Sequence, residues 1–176
     1  MIIQEKHSHR HAETIMSTSY PQEKAEIEAA LIAAPWVRKA KTRCVRNKKG
    51  KITQTLTLDQ KATNAAIETE FKRFKTWGIR PPIVSNSPSK LVADFKRSDV
   101  QVEVQFGNAA RYYADIFKFL LSYSVDDIEV GVLCVPMLRT AKCIDQNVAN
   151  FERVVRELPH AKMGITIPIW VLGVEH

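Results

Sequence analysis

The sequence predicts an α/β or α+β fold in which strands and helices alternate along one domain, residues 1–176. Strict alternation of apolar and polar residues from Val100 to Phe106 is typical of a strand with one face in the core. The near-continuous apolar run from Asp127 to Val135 is typical of a central strand. Between these strands, the apolar breadth of Ala109 to Tyr123 predicts a helix that is buried on more than one side.

Positive charge exceeds negative charge along the chain. Lysine and arginine number 26 against 19 aspartates and glutamates, which gives a net charge of +7 and an isoelectric point of about 9.4. A basic surplus is typical of proteins with an acidic partner, and nucleic acid is the commonest such partner. The surplus is equally typical of a merely soluble basic protein, so charge alone does not choose between the two.

Cysteine usage and hydropathy indicate the compartment. Cys44, Cys134 and Cys143 are odd in number and form no pair with metal-binding spacing, so we expect reduced thiols, with Cys134 in the core. No segment approaches the length of a membrane span, and residues 1–11 lack the apolar core of a signal peptide. These features predict a cytoplasmic protein with no membrane partner.

The first elements are a polar segment and a helix. His7, His9 and His11 would share one face of a strand, but no cysteine pair supplies the convergent partners that zinc needs. A polar amino-terminal segment over residues 1–16 is the better interpretation. Residues 19–34 predict a helix that Ser19 caps and that Pro35 ends.

The most basic stretch of the chain predicts a hairpin. Eight cations occur between residues 37 and 51 with no acid among them. Residues 47–50 form a turn signal, and residues 52–58 alternate as a strand does. Because such cations repel one another, we expect a phosphate-facing arm that uses Lys48, Lys49 and Lys51 rather than a solvated face.

The remaining elements follow from periodicity and turn residues. A helix capped by Thr57 or Asp59 should run to about Trp77. We expect its polar residues Asn64, Glu68 and Glu70 to face solvent, although one of them could reach a metal-bound water. Residues 91–95 predict a short strand, residues 136–147 a polar loop and residues 148–158 a helix. Residues 165–174 predict a last strand, in which Pro168 indicates an edge or a bulge.

Two carboxylates predict a metal site. The strand beginning at Val100 points Glu103 and Gln105 the same way, and the preceding short strand could bring Asp94 alongside. Mg²⁺ prefers oxygen ligands and keeps several waters, so Asp94, Glu103 and the carbonyl oxygen of Val104 would suit it. The alternative is a solvated or salt-bridged strand face, since an acid pair at this spacing is common.

The same residues resemble a known family. The pattern D-(x)₈-E-V-Q-F-G-N, an aromatic-rich helix, then IEVGV and a PM dipeptide, resembles the BglII/BstYI group of type II restriction endonucleases, within the PD-(D/E)xK nuclease superfamily. The likeness is clearest from Asp94 to Val174. It extends more weakly to the amino end, where HSH precedes a segment containing Glu13. The resemblance implies a restriction-endonuclease-like central mixed β-sheet flanked by helices.

The resemblance also implies a site. Asp94 and Glu103 match the metal-binding acids of the group, which implies Mg²⁺ as the cofactor. Gln105 matches the group's substitute for the lysine that most of the superfamily carries. Mg²⁺ would bind a phosphate oxygen and acidify a water, and Gln105 could orient that water or the phosphate by hydrogen bonds.

For DNA recognition, the resemblance implies that Asn108 contacts the major groove and that Asp145, Gln146 and Asn147 read bases. Relatives are homodimers that cut palindromes with a central GATC and leave 5′ overhangs, beside a cognate methyltransferase. This sequence departs from relatives inside the reading loop, which leaves its outer bases open. Asn108 and Asn147 also stand where they could cap the helices that follow.

Three functions fit these observations. The leading one is a homodimeric, Mg²⁺-dependent endonuclease that hydrolyses double-stranded DNA at a palindrome and leaves 5′-phosphate ends. A non-catalytic DNA-binding protein would use the same fold, but the presence of both acids favours the enzyme. A structure-specific nuclease would depend on DNA shape instead of sequence.

Overall fold

The structure, a computed structural model, describes residues 1–39, 43–46, 52–55, 57–84, 90–125, 127–161 and 164–176. Within these ranges the strands are β1 (Ile2–His9), β2 (Arg43–Arg46), β3 (Ile52–Thr55), β4 (Gly78–Ile79), β5 (Phe95–Arg97), β6 (Val100–Val104), β7 (Val130–Pro136) and β8 (Ile169–Glu175). The helices are α1 (Ala12–Thr18), α2 (Pro21–Ala33), α3 (Gln60–Arg73), α4 (Arg111–Ser124), α5 (Leu138–Ile144) and α6 (Phe151–Glu157).

Six of the strands form one mixed sheet, in the order β1-β8-β7-β6-β5-β4. The central strands β6, β7 and β8 are parallel, whereas β1, β5 and β4 pair antiparallel to their neighbours. Helices α1, α2, α3 and α5 contribute to an apolar core on one face, and α4 and α6 contribute to a core on the other. The predicted mixed sheet flanked by helices is therefore confirmed.

The predicted hairpin is present as a separate two-stranded sheet. Strands β2 and β3 pair antiparallel, with Arg43 opposite Thr55 and Arg46 opposite Ile52. The hairpin prediction is confirmed at the level of pairing. Lys48, Lys49 and Lys51 lie outside the described residues, so their role stays a prediction.

The amino-terminal segment was predicted wrongly, and that changes the edge of the sheet. Residues that suggested a polar segment form β1 and α1, and β1 pairs along β8 from Ile2 to His9. Strand β8 is consequently interior, although Pro168 suggested an edge or a bulge. Pro168 directly precedes β8, so its missing N–H removes no hydrogen bond from within that strand.

Two helix boundaries also differ from prediction. Ser19 does not cap the start of α2; it is the C-cap of α1, and its N–H donates to the carbonyl oxygen of Ile15. Helix α2 begins at Pro21, where the fixed φ angle of proline suits a first helical position. Asp59 caps α3 as predicted and accepts from the N–H of Ala62, but the helix ends at Arg73.

The residues after β7 differ most. The predicted loop over 136–147 contains α5, and the following helix starts at Phe151 after an Asn150 cap that accepts from the N–H of Arg153. Asn147 is therefore not the cap of that helix.

The short strand predicted over residues 91–95 was placed too early. In the structure this strand is β5, which begins at Phe95.

Helix α4 covers the polar side of β6. A Cβ added at Gly131 on β7 would lie 2.8 Å from the ring of Phe119, so only glycine lets the helix approach this closely. The predicted burial on more than one side is wrong: one side is buried, and the other leaves Tyr113 and Phe117 about half exposed, at 49% and 55%. The aromatic content that suggested a buried helix is thus divided between the core and the surface.

Cys134 lies in the core as predicted. No helix among the described residues is long and apolar enough to cross a membrane.

Candidate nuclease site

Antiparallel pairing of β5 and β6 brings Asp94 beside Val104. Asp94 immediately precedes β5, and Phe95 pairs with Val102. The Asp94 carboxylate accepts a hydrogen bond from the N–H of Val104, with 2.8 Å between Oδ2 and N. The juxtaposition expected from sequence is present, because the strand pairing joins two residues that are ten positions apart.

Glu103 is buried, and its two oxygens have different partners. Its side chain belongs to the polar face of β6, but α4 covers that face and leaves the residue 1% exposed. Gln101 Nε2 donates to Oε1 at 2.9 Å, and the ammonium group of Lys118 pairs with Oε2. The salt-bridged alternative therefore describes part of the geometry, with a partner that the sequence pattern did not identify.

Both the nitrogen and the oxygen of the Gln105 side-chain amide are hydrogen-bonded. Its Nε2 donates to Asp115 Oδ2 at 2.6 Å, and its Oε1 accepts from the N–H of Gly107 at 2.9 Å. Asp115 also lies 2.9 Å from the Nζ of Lys118. A continuous polar network thus joins Gln105 to Glu103 through two residues of α4.

Burial dominates the electrostatics of the acids. It raises the pKa of Glu103 to about 8, although Lys118 opposes the shift, and it also raises the pKa of Asp94. Burial acts to lower the pKa of Lys118, but the carboxylates of Glu103 and Asp115 outweigh it, and the pKa is raised. Burial thus favours the protonated form of these acids, and additional positive charge at the site would favour the carboxylate form.

A cavity of about 360 Å³ opens at this point, and α3 contributes one wall. Its lining includes Asn64 and Glu68 from α3, together with Arg80, Asp94 and Val104. Asn64 Oδ1 is buried and accepts no hydrogen bond from any described residue. Asn64 and Glu68, expected to face solvent, therefore face this cavity instead.

A neighbouring cavity of about 320 Å³ is lined by residues of both α3 and α4. Asn64, Asp94 and Gln105 line it together with Asp115 and Lys118 of α4. Sequence analysis did not select Asp115 or Lys118. Their i, i+3 spacing on an otherwise aromatic helix is the signal that could have drawn attention to them.

The donor set fits a hard divalent cation. Asp94, Val104 and Asn64 line the cavity, whereas Glu103 is buried at the position before Val104; all four offer oxygen atoms, which Mg²⁺ prefers. No group of three or more His, Cys, Asp or Glu side chains suited to a metal occurs in the described parts of the chain. Mg²⁺ does not require such a group because it keeps several waters.

The residues expected to read bases surround a second opening. Asn108, Asp145, Gln146 and Asn147 are exposed and line a cavity of about 340 Å³. Backbone hydrogen bonds join the two segments: the N–H of Ala109 donates to the Asn147 carbonyl at 2.9 Å. Asn108 Oδ1 also accepts from the N–H of Ala110 at 2.8 Å, so it forms a local turn just before α4.

Gln60, the first residue of α3, connects the two regions. It lines the carboxylate cavities and the Asn108 cavity alike. Sequence reasoning used only its neighbour Asp59, as a helix cap, and missed this position.

A family model for restriction endonuclease BglII/BglIII matches residues 4–174, nearly the whole chain. The chain belongs to the BglII/BglIII restriction endonuclease family. It is accordingly a type II site-specific nuclease, a hydrolase whose substrate class is double-stranded DNA. The resemblance that the EVQFGN segment suggested is confirmed.

Solved structures agree with this family at the level of fold. Free BglII superposes with a TM-score of 0.68 at 20% identity, covering 98% of this chain and 79% of that one. BglII complexed with a DNA 16-mer gives a TM-score of 0.67 at 20% identity, covering 96% and 74%. No curated protein sequence matches the chain significantly.

Within the BglII/BglIII family fold, the chain brings three of its predicted site residues together. Asp94 directly precedes β5, Glu103 lies on β6 and Gln105 directly follows β6; Lys118 and Asp115 of α4 bind Glu103 and Gln105 respectively. Asn108 and the Asp145–Asn147 segment lie beside them, joined through Gln60.

Proposed function

We propose that one restriction-endonuclease-like domain, residues 1–176, hydrolyses DNA phosphodiesters with Mg²⁺ at Asp94, Glu103 and the Val104 carbonyl. The observation that carries the proposal is that Asp94 and Val104 meet at the wall of an open cavity, with the Glu103 carboxylate buried at the preceding position of β6. When bound, Mg²⁺ neutralises phosphate charge and acidifies a water at near-neutral pH.

The chain's own residues would orient the reactants. The N–H of Val104 fixes the Asp94 carboxylate, and Asp115 and Gly107 fix the Gln105 amide. One N–H of that amide remains to donate to the phosphate or to the attacking water, and the buried Asn64 Oδ1 can accept a hydrogen bond from that water. Gln105 carries no charge, so it contributes orientation only.

Base reading is proposed for the exposed segment beside the site. Asn108, Gln146 and Asn147 offer amides that can pair with the N6 and N7 edge of adenine, and Asp145 can accept from cytosine N4. The hairpin residues Lys48, Lys49 and Lys51 would contact phosphates. The site proposed by resemblance is a palindrome containing GATC, cut to leave 5′-phosphate ends.

A homodimer would read such a palindrome with two copies of the same residues. The exposed side of α4, where Tyr113 and Phe117 lie about one turn apart, supports a second copy as its partner, because exposed apolar surface of this kind marks interfaces. A cognate methyltransferase would protect the host's own copies of the site.

The test is digestion of a plasmid of known sequence with Mg²⁺, followed by sequencing of the fragment ends. We expect defined ends at one palindrome, and no cleavage by Asp94→Ala or Glu103→Ala with folding retained. Ends that follow branched or mismatched DNA would indicate a structure-specific nuclease instead. Binding without cleavage at any Mg²⁺ concentration would indicate a non-catalytic DNA-binding protein.

A further inference from the structure

Lys118 of α4 lies against the carboxylates of the site without belonging to the strands that carry them. Its Nζ lies 2.9 Å from Asp115 Oδ1 and is also paired with Oε2 of Glu103. The side chain is 15% exposed and lines the cavity that Asp94 and Gln105 share. It is therefore a largely buried ammonium group held between two carboxylates, at the place where a divalent cation is expected.

Both oxygens of Glu103 are already occupied in this arrangement. Gln101 Nε2 donates to Oε1, and that Gln101 is fixed in turn because its Oε1 accepts from Ser122 Oγ at 2.7 Å. Oε2 is the oxygen that Lys118 holds. Lys118, the partner of Oε2, lines the cavity that Asp94 also lines, so a cation that enters from this cavity would approach Glu103 at Oε2 and compete with Lys118 for that oxygen.

The network also provides the place to which Lys118 would move. Asp115 is buried, and its two oxygens are divided between Lys118 and Gln105. If Lys118 leaves Glu103, it keeps the Asp115 carboxylate as a partner and stays in the cavity. The buried ammonium group is then never without a compensating charge, the loss of which is strongly destabilising.

We infer that Lys118 is a positioning residue that competes with the divalent cation for Glu103, with Asp115 as its second partner. The inference rests on the proposed function only in assigning Glu103 to the metal. Competition of this kind sets the cation concentration at which the site fills. It also holds the Glu103 carboxylate in place while no cation is bound.

The test measures Mg²⁺ affinity by calorimetry at pH 8.5 without DNA. Lys118→Met should tighten binding about tenfold, because a single nearby positive charge is worth at least that factor at the effective dielectric of a protein. Asp115→Asn should weaken binding, because Lys118 then has Glu103 as its only carboxylate partner. A role limited to holding the fold would weaken binding in both variants.

Three controls decide the interpretation. Lys96→Met removes a lysine of similar exposure, 20%, that pairs with Asp127, and it should leave Mg²⁺ affinity unchanged. In a Glu103→Gln background, Lys118→Met should bring no tightening; tightening there would show a through-space effect and overturn the inference. If Lys118→Met does not fold, Asp115→Asn decides alone.

Several results overturn the inference. Unchanged or weaker binding in folded Lys118→Met would do so, as would unchanged or tighter binding in Asp115→Asn. A wild-type protein that binds no Mg²⁺ at millimolar concentration would also do so, since nothing would then compete. These readings are independent of plasmid cleavage, so failure of the inference and failure of the proposed function are distinguishable.

Discussion

At the scale of single residues, the site depends on acids that are kept away from water. Glu103 is 1% exposed, and α4 covers it with a lysine and an aspartate rather than with apolar groups. A carboxylate buried in this way favours its protonated form, and it can be compensated by either a proton or a cation. The properties of the site should therefore depend on pH.

The raised pKa of Glu103 predicts how stability changes with pH in EDTA. Its folded pKa of about 8 lies above the ordinary value of 4.5. The folded protein thus holds a proton that the unfolded chain has lost, so stability falls as pH rises through this interval, by at most about 1.4 kcal/mol per pH unit. Thermal unfolding midpoints measured from pH 6 to pH 9 should fall more steeply for the wild type than for Glu103→Gln.

The comparison with Glu103→Gln removes the contributions of other groups, such as His7 and His9, whose pKa values are lowered mainly by burial. Parallel curves for the two proteins would contradict the assignment. Saturating Mg²⁺ should flatten the wild-type curve.

Base reading predicts a local loss of discrimination. Asn108→Ala and Gln146→Ala should each relax preference at one symmetric pair of positions by roughly 1–3 kcal/mol, the value of one good bidentate contact. Cleavage of a randomised-site library measures this preference. Asn108 also accepts from the N–H of Ala110, so a mutant that loses thermal stability but keeps its full preference would make Asn108 a turn residue only.

At the scale of elements, we expect the hairpin and α4 to serve different parts of the proposed function. Strands β2 and β3 form their own two-stranded sheet, separate from the six-stranded one. Helix α4 contributes Lys118 and Asp115 to the site on one side and exposed aromatic residues on the other. One element is therefore expected to serve DNA contact, and the other both the site and the dimer.

The hairpin predicts a change in salt dependence. A variant that combines Lys48→Ala, Lys49→Ala and Lys51→Ala should bind specific and random duplexes more weakly by a similar factor. The slope of log affinity against log salt concentration should become shallower by about 0.9 for each phosphate that the variant no longer neutralises. Fluorescence anisotropy over a range of salt concentrations measures both effects. Lys6, Arg73 and Arg156, which are exposed on other elements, give a charge-matched alanine control; equal effects in both variants would refute a specific phosphate role.

At the scale of the whole molecule, the proposed homodimer would present the same residues to both halves of a palindromic site. Phe117→Asp places a charge in the middle of the exposed side of α4, so it should dissociate the dimer. Sedimentation velocity should give a dimer for the wild type and a monomer for this variant. Ile32→Asp is the matched control, because Ile32 is comparably exposed, at 59%, but lies on α2. A dimeric Phe117→Asp protein would exclude this side of α4 as the interface.

The sequence by itself determined the central strands and the acids on them. The alternation from Val100 to Phe106 and the apolar run from Asp127 to Val135 are local patterns. Burial of alternate side chains produces the first pattern, and burial of successive side chains produces the second. The D-(x)₈-E-V-Q segment was also sufficient to indicate the family, because its residue types and spacing are contiguous in the chain.

Only the tertiary structure decided what lies opposite those acids. Asn64 of α3 lies 30 positions before Asp94, and Lys118 of α4 lies 15 positions after Glu103. Contacts between residues this far apart in the chain leave no periodic pattern in the sequence. The strand character of residues 2–9 was likewise decided by pairing with β8 at the far end of the chain. Pairing of this kind supplies backbone hydrogen bonds that outweigh weak local patterning, and it makes the strand that follows Pro168 an interior strand instead of an edge strand.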